Sequence, residues 1–199
     1  MKALLLMTLA LLPLSTAALA APEIGKPAPE FTATDTNGKP VVLADLKGKT
    51  VVLEWTNHEC PFVVKHYKSG NMQALQAETT KDGVVWISVN SSAKGKEGNT
   101  TAEESNKIVA EQKSMATHKI LDESGVIGKL YDAKTTPHMF VIDKAGVLAY
   151  AGAIDDKSGF DPEEIKTAKN YVTAALANLK ADKPVEVSSS KPYGCGVKY

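Results

Sequence analysis

The sequence predicts an α/β fold with a central mixed β-sheet flanked by helices. Three observations carry that prediction. Thr50 to Trp55 is β-branched and apolar on both faces, as a strand covered on both sides requires. Val84-Val-Trp-Ile-Ser-Val89 is a second buried strand and Met139-Phe-Val-Ile142 a third, with helix-type segments between them. Asp143-Lys-Ala-Gly146 is a hairpin turn with Val147 to Ala151 as the return strand, so part of the sheet runs antiparallel.

The elements follow in order. Met1-Lys2 supplies a positive start, Ala3 to Leu14 is mostly apolar, and Ala18-Leu19-Ala20 is a small-x-small cleavage signal before Ala21-Pro22. Residues 1–20 therefore read as a secretory signal peptide; the apolar stretch is short for a transmembrane anchor. Residues 21–182 are expected to form one domain. Glu23 to Gly38, with Pro27 and Pro29, suits an extended lead-in. Val41-Val42-Leu43 is a short strand, and Asp45-Leu-Lys-Gly48 a turn. Pro61 fits the first turn of a helix, where its missing N–H is not needed, and that helix is expected to reach about Ala77. Ser91 to Thr100 is a loop. Thr101-Ala-Glu-Glu104 is a capping box for a helix through about Ala116, and Gly125 to Leu130 a short helix. Asp161-Pro162-Glu163-Glu164 combines an N-cap, a proline at N1 and two first-turn acids, which predicts a last helix to about Leu179. Residues 183–199 read as a flexible, Ser-rich tail carrying Cys195.

Composition excludes some classes. Basic and acidic residues balance at 23 each, with no block of either sign. Nothing recommends nucleic acid or an anionic membrane as a partner. All of the basic residues are lysine; there is no arginine. Two cysteines in an exported chain fit one disulfide, because exported compartments are oxidising.

The chemistry centres on Cys60. It follows an apolar strand and a polar turn and precedes Pro61 at a helix start. A helix N-terminus lowers a thiol pKa through its free N–H groups and dipole, and the thiolate is the nucleophile. His58, His66 and His138 are the polar candidates around it; a protonated imidazole would depress the thiol pKa further. Cys60 with His58, His66 or His138 is also a donor set for a soft or borderline metal. Glu59 is a like charge for a thiolate, or a proton shuttle. Trp55 is core or site wall. The plainer alternative makes Cys60 and Cys195 a structural staple, worth about 4–5 kcal/mol for so long a loop on the chain-entropy estimate.

Several stretches resemble the peroxiredoxin-like, or redoxin, branch of the thioredoxin superfamily (the alkyl hydroperoxide reductase/thiol-specific antioxidant type). Gly25-Lys-Pro-Ala-Pro-Glu-Phe31 is similar to its G-x-x-A-P-x-F lead-in. Leu46-Lys-Gly-Lys-Thr-Val-Val52 is similar to the L-x-G-K-x-V-V approach to the central strand. Trp55 to Pro61 occupies the active-site turn. Thr135-Thr-Pro137-His-Met-Phe-Val-Ile-Asp143-Lys-Ala-Gly146 resembles T-P-x-x-F-x-I-D-x-x-G, whose proline is cis in the superfamily, and Tyr150-Ala-Gly152-Ala-Ile-Asp155-Asp156 follows. The resemblance covers nearly all of Ala21 to Lys180 and implies a thioredoxin-like fold. It sets Pro137 and Thr136 beside Cys60 as site-shaping residues, with Pro61, Trp55, His58 and Glu59.

Departures from the pattern matter as much. Val63 stands where C-x-x-C proteins have a second cysteine, so a local dithiol is ruled out. Leu53 and Asn57 replace the proline and threonine of P-x-x-x-[TS]-x-x-C, and the peroxide-holding arginine is missing. A lysine is a point donor and does not reproduce its planar fork. The ending Pro192-Tyr-Gly-Cys195-Gly-Val-Lys-Tyr199 resembles the glycine–cysteine tail of some peroxiredoxin-like proteins, which implies Cys195 as a resolving cysteine. The expected function is an exported, periplasmic thiol–disulfide oxidoreductase or weak thiol peroxidase, without cofactor. Its implied partners are a thioredoxin-like reductant or a disulfide-bearing protein, and peroxide, with a homodimer among the assemblies open to it. The alternatives are a copper-type metal-binding module and a non-enzymatic domain with a structural disulfide.

Overall fold

A computed structural model describes residues 21–199; the expected signal peptide lies outside the described residues. After β1 (Thr32–Thr34) and β2 (Pro40–Val42), which pair as a small antiparallel ribbon, the chain enters the main sheet. The main sheet has five strands: β3 (Val51–Trp55), β4 (Val85–Asn90), β5 (His118–Leu121), β7 (His138–Ile142) and β8 (Leu148–Gly152). Their order is β5-β4-β3-β7-β8. β4 lies parallel to β3 and β5, whereas β7 is antiparallel to both β3 and β8. The mixed sheet is the expected one, with the Thr50–Trp55 run at its centre and every residue of β3 buried.

Each face of the sheet carries its own core. One face packs Leu53, Trp55, Ile87 and Phe140 against Phe31 and Tyr131. The other packs Val52, Trp86, Met139 and Val141 against three helices: α1 (Pro61–Lys68), α2 (Asn71–Lys81) and α5 (Tyr171–Lys180). No helix among the described residues is long and apolar enough to cross a membrane.

Several local expectations are met. Thr101 caps α3 (Ala102–Glu111), and both reciprocal bonds of the capping box with Glu104 are present. The short helix α4 spans Val126–Leu130. Others are corrected. The helix after Cys60 is broken at Gly70, whose φ of 77° is left-handed and ends the run, so α2 starts afresh at Asn71. Asp161 does accept Glu163 N–H, but the turn it caps is a 3-10 segment over Pro162–Thr167. The last helix starts later, where the Asn170 side chain accepts Thr173 N–H. β5 was not expected, because its His-Lys-Ile-Leu sequence has one fully buried residue at the sheet edge.

The C-terminal segment, expected as a flexible tail, is seated along its length. Ser190 Oγ accepts Ala153 N–H and pairs with Tyr150 Oη. β9 (Cys195–Gly196) then pairs antiparallel with β6 (Thr135–Thr136), and Lys198 O accepts Ala93 N–H. The tail is a strap laid across the C-terminal end of β3.

Candidate active site

β3 delivers the chain to the turn Thr56–Glu59, and Asn57 shapes it. Asn57 Oδ1 accepts Glu59 N–H at 2.9 Å, while its amide donates to Glu97 O at 3.3 Å. Cys60 follows as the N-cap of α1, with Pro61 in the first turn and its own carbonyl accepting Val63 and Val64 N–H. Its side chain is fully buried. The Thr136–Pro137 bond is cis, and Thr136 O lies 3.0 Å from Cys60 Sγ, accepting the thiol proton when one is present. The register Thr136↔Cys195 in the β6–β9 pair brings the second cysteine over the first. Both are free thiols, and their sulfurs are 2.7 Å apart. A formed disulfide spans about 2.05 Å, so the bond is within reach with little movement.

The electrostatics set the two thiols apart. Burial pushes the Cys60 pKa up, but hydrogen bonds from the Cys195 and Thr136 side chains and from Cys195 and Val63 N–H outweigh it, leaving the pKa below 9.0. The Thr136 hydroxyl is buried without a hydrogen-bond partner, so it is free to turn to the thiolate. Cys195 is pushed up to about 12 by burial, by its bond to Cys60 and by the Cys60 charge. In the half-ionised pair the charge sits on Cys60 and the proton on Cys195.

The other expected site residues scatter. Trp55 points into the opposite core, donating to Ser91 Oγ at 3.0 Å and packing on Tyr131 and Phe140, so it is not a wall of the Cys60 site. Glu59 turns outward and accepts Gly98 N–H at 2.6 Å, tying the turn to the 91–100 loop. His58 lines a small polar cavity with Thr56, Ser105 and Lys119, and burial lowers its pKa. His138 packs at a tilt on Phe140 and accepts Lys134 N–H; burial drives its pKa to about 4. His66 is buried, with both ring nitrogens hydrogen-bonded, to Tyr193 and Asn71. The expected metal set is therefore not assembled: the three histidines face different surroundings. Among the described residues no group of three or more His, Cys, Asp or Glu is placed to hold a metal.

Two neighbours of the site were not singled out from sequence as site residues. Tyr193, in the tail, donates to Asp155 at 2.6 Å. Lys65, wholly buried on α1, donates to Lys157 O and Gly159 O at 2.6 and 2.8 Å. A lysine on the apolar face of a predicted helix was the available signal.

The model of the AhpC/TSA family matches residues 24–151. The thiol-disulfide oxidoreductase ResA of Bacillus thuringiensis subsp. konkukian (strain 97-27) is 32% identical over 127 residues, covering 62% of this chain. The match spans 66% of the length of ResA, just under two thirds. The crystal structure of an uncharacterized conserved protein from Geobacillus kaustophilus superposes with a TM-score of 0.74 at 27% identity, over 89% of this chain and 92% of that one. A secreted Mycobacterium tuberculosis disulfide oxidoreductase shares the fold with a TM-score of 0.50 at 20% identity, over 69% and 92% of the two chains.

Proposed function

The chain belongs to the AhpC/TSA family and has a thioredoxin-like fold, and from that premise we propose that it is an exported thiol–disulfide oxidoreductase acting through Cys60 and Cys195. The observation that carries this reading is the 2.7 Å approach of an acidified, helix-capping Cys60 to a protonated Cys195.

The chemistry runs in two exchanges. The Cys60 thiolate attacks one sulfur of a partner disulfide, forms a mixed disulfide and releases the other sulfur as a thiolate. Cys60 then carries no charge, and the two influences that it exerted on Cys195, its hydrogen bond and its charge, are gone. Cys195 ionises more readily at that moment and attacks the Cys60 sulfur. Its proton goes to the departing partner thiolate, and a Cys60–Cys195 disulfide remains. A thioredoxin-like dithiol reduces it, returning two electrons and two protons.

Peroxide is the less favoured oxidant. Attack of the Cys60 thiolate on a peroxide oxygen would break the O–O bond and leave a sulfenic acid, with the other oxygen protonated to water or an alcohol; Cys195 would then displace water. The groups that shift the Cys60 pKa include no cation. Leu53 is buried in the opposite core, and Asn57 is committed to the turn. Neither replaces the missing donors to a peroxide.

The test is turnover of a protein disulfide by wild type, Cys60→Ser and Cys195→Ser, with mass mapping of the adducts. Cys60→Ser is expected to be inactive, and Cys195→Ser to accumulate the mixed disulfide on Cys60. Undiminished turnover in Cys60→Ser would sink the reading. A Cys60–Cys195 potential well below about −300 mV would instead favour a structural staple.

A further inference from the structure

We propose that Tyr193 is the positioning residue for Cys195, holding the tail through a half-buried relay, Asn71–His66–Tyr193–Asp155, and so setting the effective concentration of the Cys195 thiol at Cys60. The proposal rests on the reading of Cys195 as the resolving cysteine.

The relay has one direction. Asn71 Nδ2 donates to His66 Nδ1 at 2.9 Å. With Nδ1 an acceptor, the neutral imidazole carries its proton on Nε2, which donates to Tyr193 Oη at 3.1 Å. Tyr193 in turn donates to Asp155 Oδ1 at 2.6 Å. His66 stays neutral because burial, aided by the Lys65 charge, brings its pKa to about 3. The relay thus needs no proton from solvent.

Asp155 reveals what the relay holds. It is 2% exposed, and its Oδ2 has no hydrogen-bond partner. A buried, half-satisfied carboxyl group is destabilising by itself. Its one side-chain donor among the described residues is Tyr193; Lys157 N–H supplies the other bond. The Lys65 ammonium lies 5.1 Å from the centre of the Tyr193 ring and the Phe62 ring packs against it at 6.1 Å, so α1 grips the ring while Asp155 grips the hydroxyl. α1 is also the helix that Cys60 caps, so one element orients both sulfurs.

The tether from anchor to sulfur is a single residue. Gly194 has φ 129°, and a Cβ there would collide with Thr136 O. The backbone therefore passes against the cis-proline segment with no slack between Tyr193 and Cys195. A short, fixed tether converts the second exchange into a step with pre-set orientation. Val197 N–H to Lys134 O and Ala93 N–H to Lys198 O are backbone anchors downstream; among side chains the next anchors are Ser190 upstream and Tyr199, whose Oη donates to Ala133 O, downstream. Neither side chain sits as close to Cys195 along the chain.

The experiment measures the exchange constant of the Cys60–Cys195 disulfide against a glutathione buffer in the full chain. Wild type, Tyr193→Phe, Asp155→Asn and Tyr199→Phe are compared. Tyr193→Phe keeps the ring and removes the hydroxyl; a fall of about tenfold is expected, about 30 mV for a two-electron couple. Tyr199→Phe, an anchor on the far side, is expected to stay within about twofold. A Tyr193→Phe constant equal to wild type overturns the proposal. Should that variant not fold, Asp155→Asn reads the same quantity, since it keeps an acceptor oxygen but loses the charge. A severalfold fall supports the relay, and an unchanged constant overturns it. Failure of the resolving role itself looks different: wild type would form no Cys60–Cys195 bond in the buffer, or Cys195→Ser would turn over as wild type does.

Discussion

A thiol taken out of water resists ionisation, and Cys60 is wholly out of water. Its pKa nevertheless lies below the ordinary 9.0, because the neighbouring Cys195 thiol and N–H, with Thr136 and Val63 N–H beside them, favour the charged form over the cost of burial. Cys195 is thus part of what makes Cys60 acidic, before it plays any part as a nucleophile. Cys195→Ala removes the side-chain donor and leaves the backbone N–H, so the Cys60 thiolate is expected to form at higher pH than in reduced wild type. Ultraviolet thiolate absorbance across a pH titration reads this directly; an unmoved or lowered midpoint would show that the Cys195 thiol does not stabilise the thiolate. At this scale the sequence was partly legible. Cys60 and Pro61 declare themselves by type and spacing, and Pro137 through the resemblance of its motif. Glu54 does not: it sits inside an apolar run, yet it is buried and accepts from Tyr67, Gln76, Trp86 and Ser88. Those donors come from α1, α2 and β4, and no local pattern announces a meeting of three elements.

Among the elements, β9 has the largest consequence for its size. Its two residues cover Cys60 and supply its partner. Gly194→Ala tests whether that pairing closes the site. The added Cβ meets the Thr136 carbonyl and the φ of 129° disfavours an alanine, so β9 should lift from β6. Cys60 is then expected to react faster with iodoacetamide than in reduced wild type, by about tenfold or more for a loss of 1.4 kcal/mol of closure, while the far-ultraviolet circular dichroism is unchanged. Equal alkylation rates would mean that the strap does not limit access. Elements were legible where their signals are local, as in the Thr101–Glu104 capping box. They were misread where two signals competed. Asp161-Pro162 and Asn170 both cap, but only the second precedes a run whose Val172 and Ala175 can be buried. β9 had no signal at all: two residues have no periodicity, and its partner lies far off in sequence.

Over the whole molecule the strap and the sheet form one thermodynamic unit. The bond between Cys60 and Cys195 can form in the folded and in the unfolded chain, and any preference for the fold must appear as added stability of the oxidised fold. The seated tail is such a preference: Ser190, Tyr193, the β6–β9 pair and Tyr199 already hold the ends together before the bond forms. The sequence showed the two cysteines and a glycine on each side of the second, but the ordering of the tail depends on Tyr150, Asp155 and His66, contacts formed only once the domain has folded. Because the sulfurs are already in register, oxidation removes entropy mainly from the unfolded chain. For a loop of this length that amounts to about 4–5 kcal/mol on the chain-entropy estimate. Chains of this size gain about 2–4 °C per kcal/mol. The oxidised protein is therefore expected to melt about 8–20 °C above the reduced one. Paired scans of the two redox forms, with the reduced form held under excess dithiol, check it. A lower melting temperature on oxidation would mean that the bond works against the fold, and that the tail is displaced when the disulfide closes.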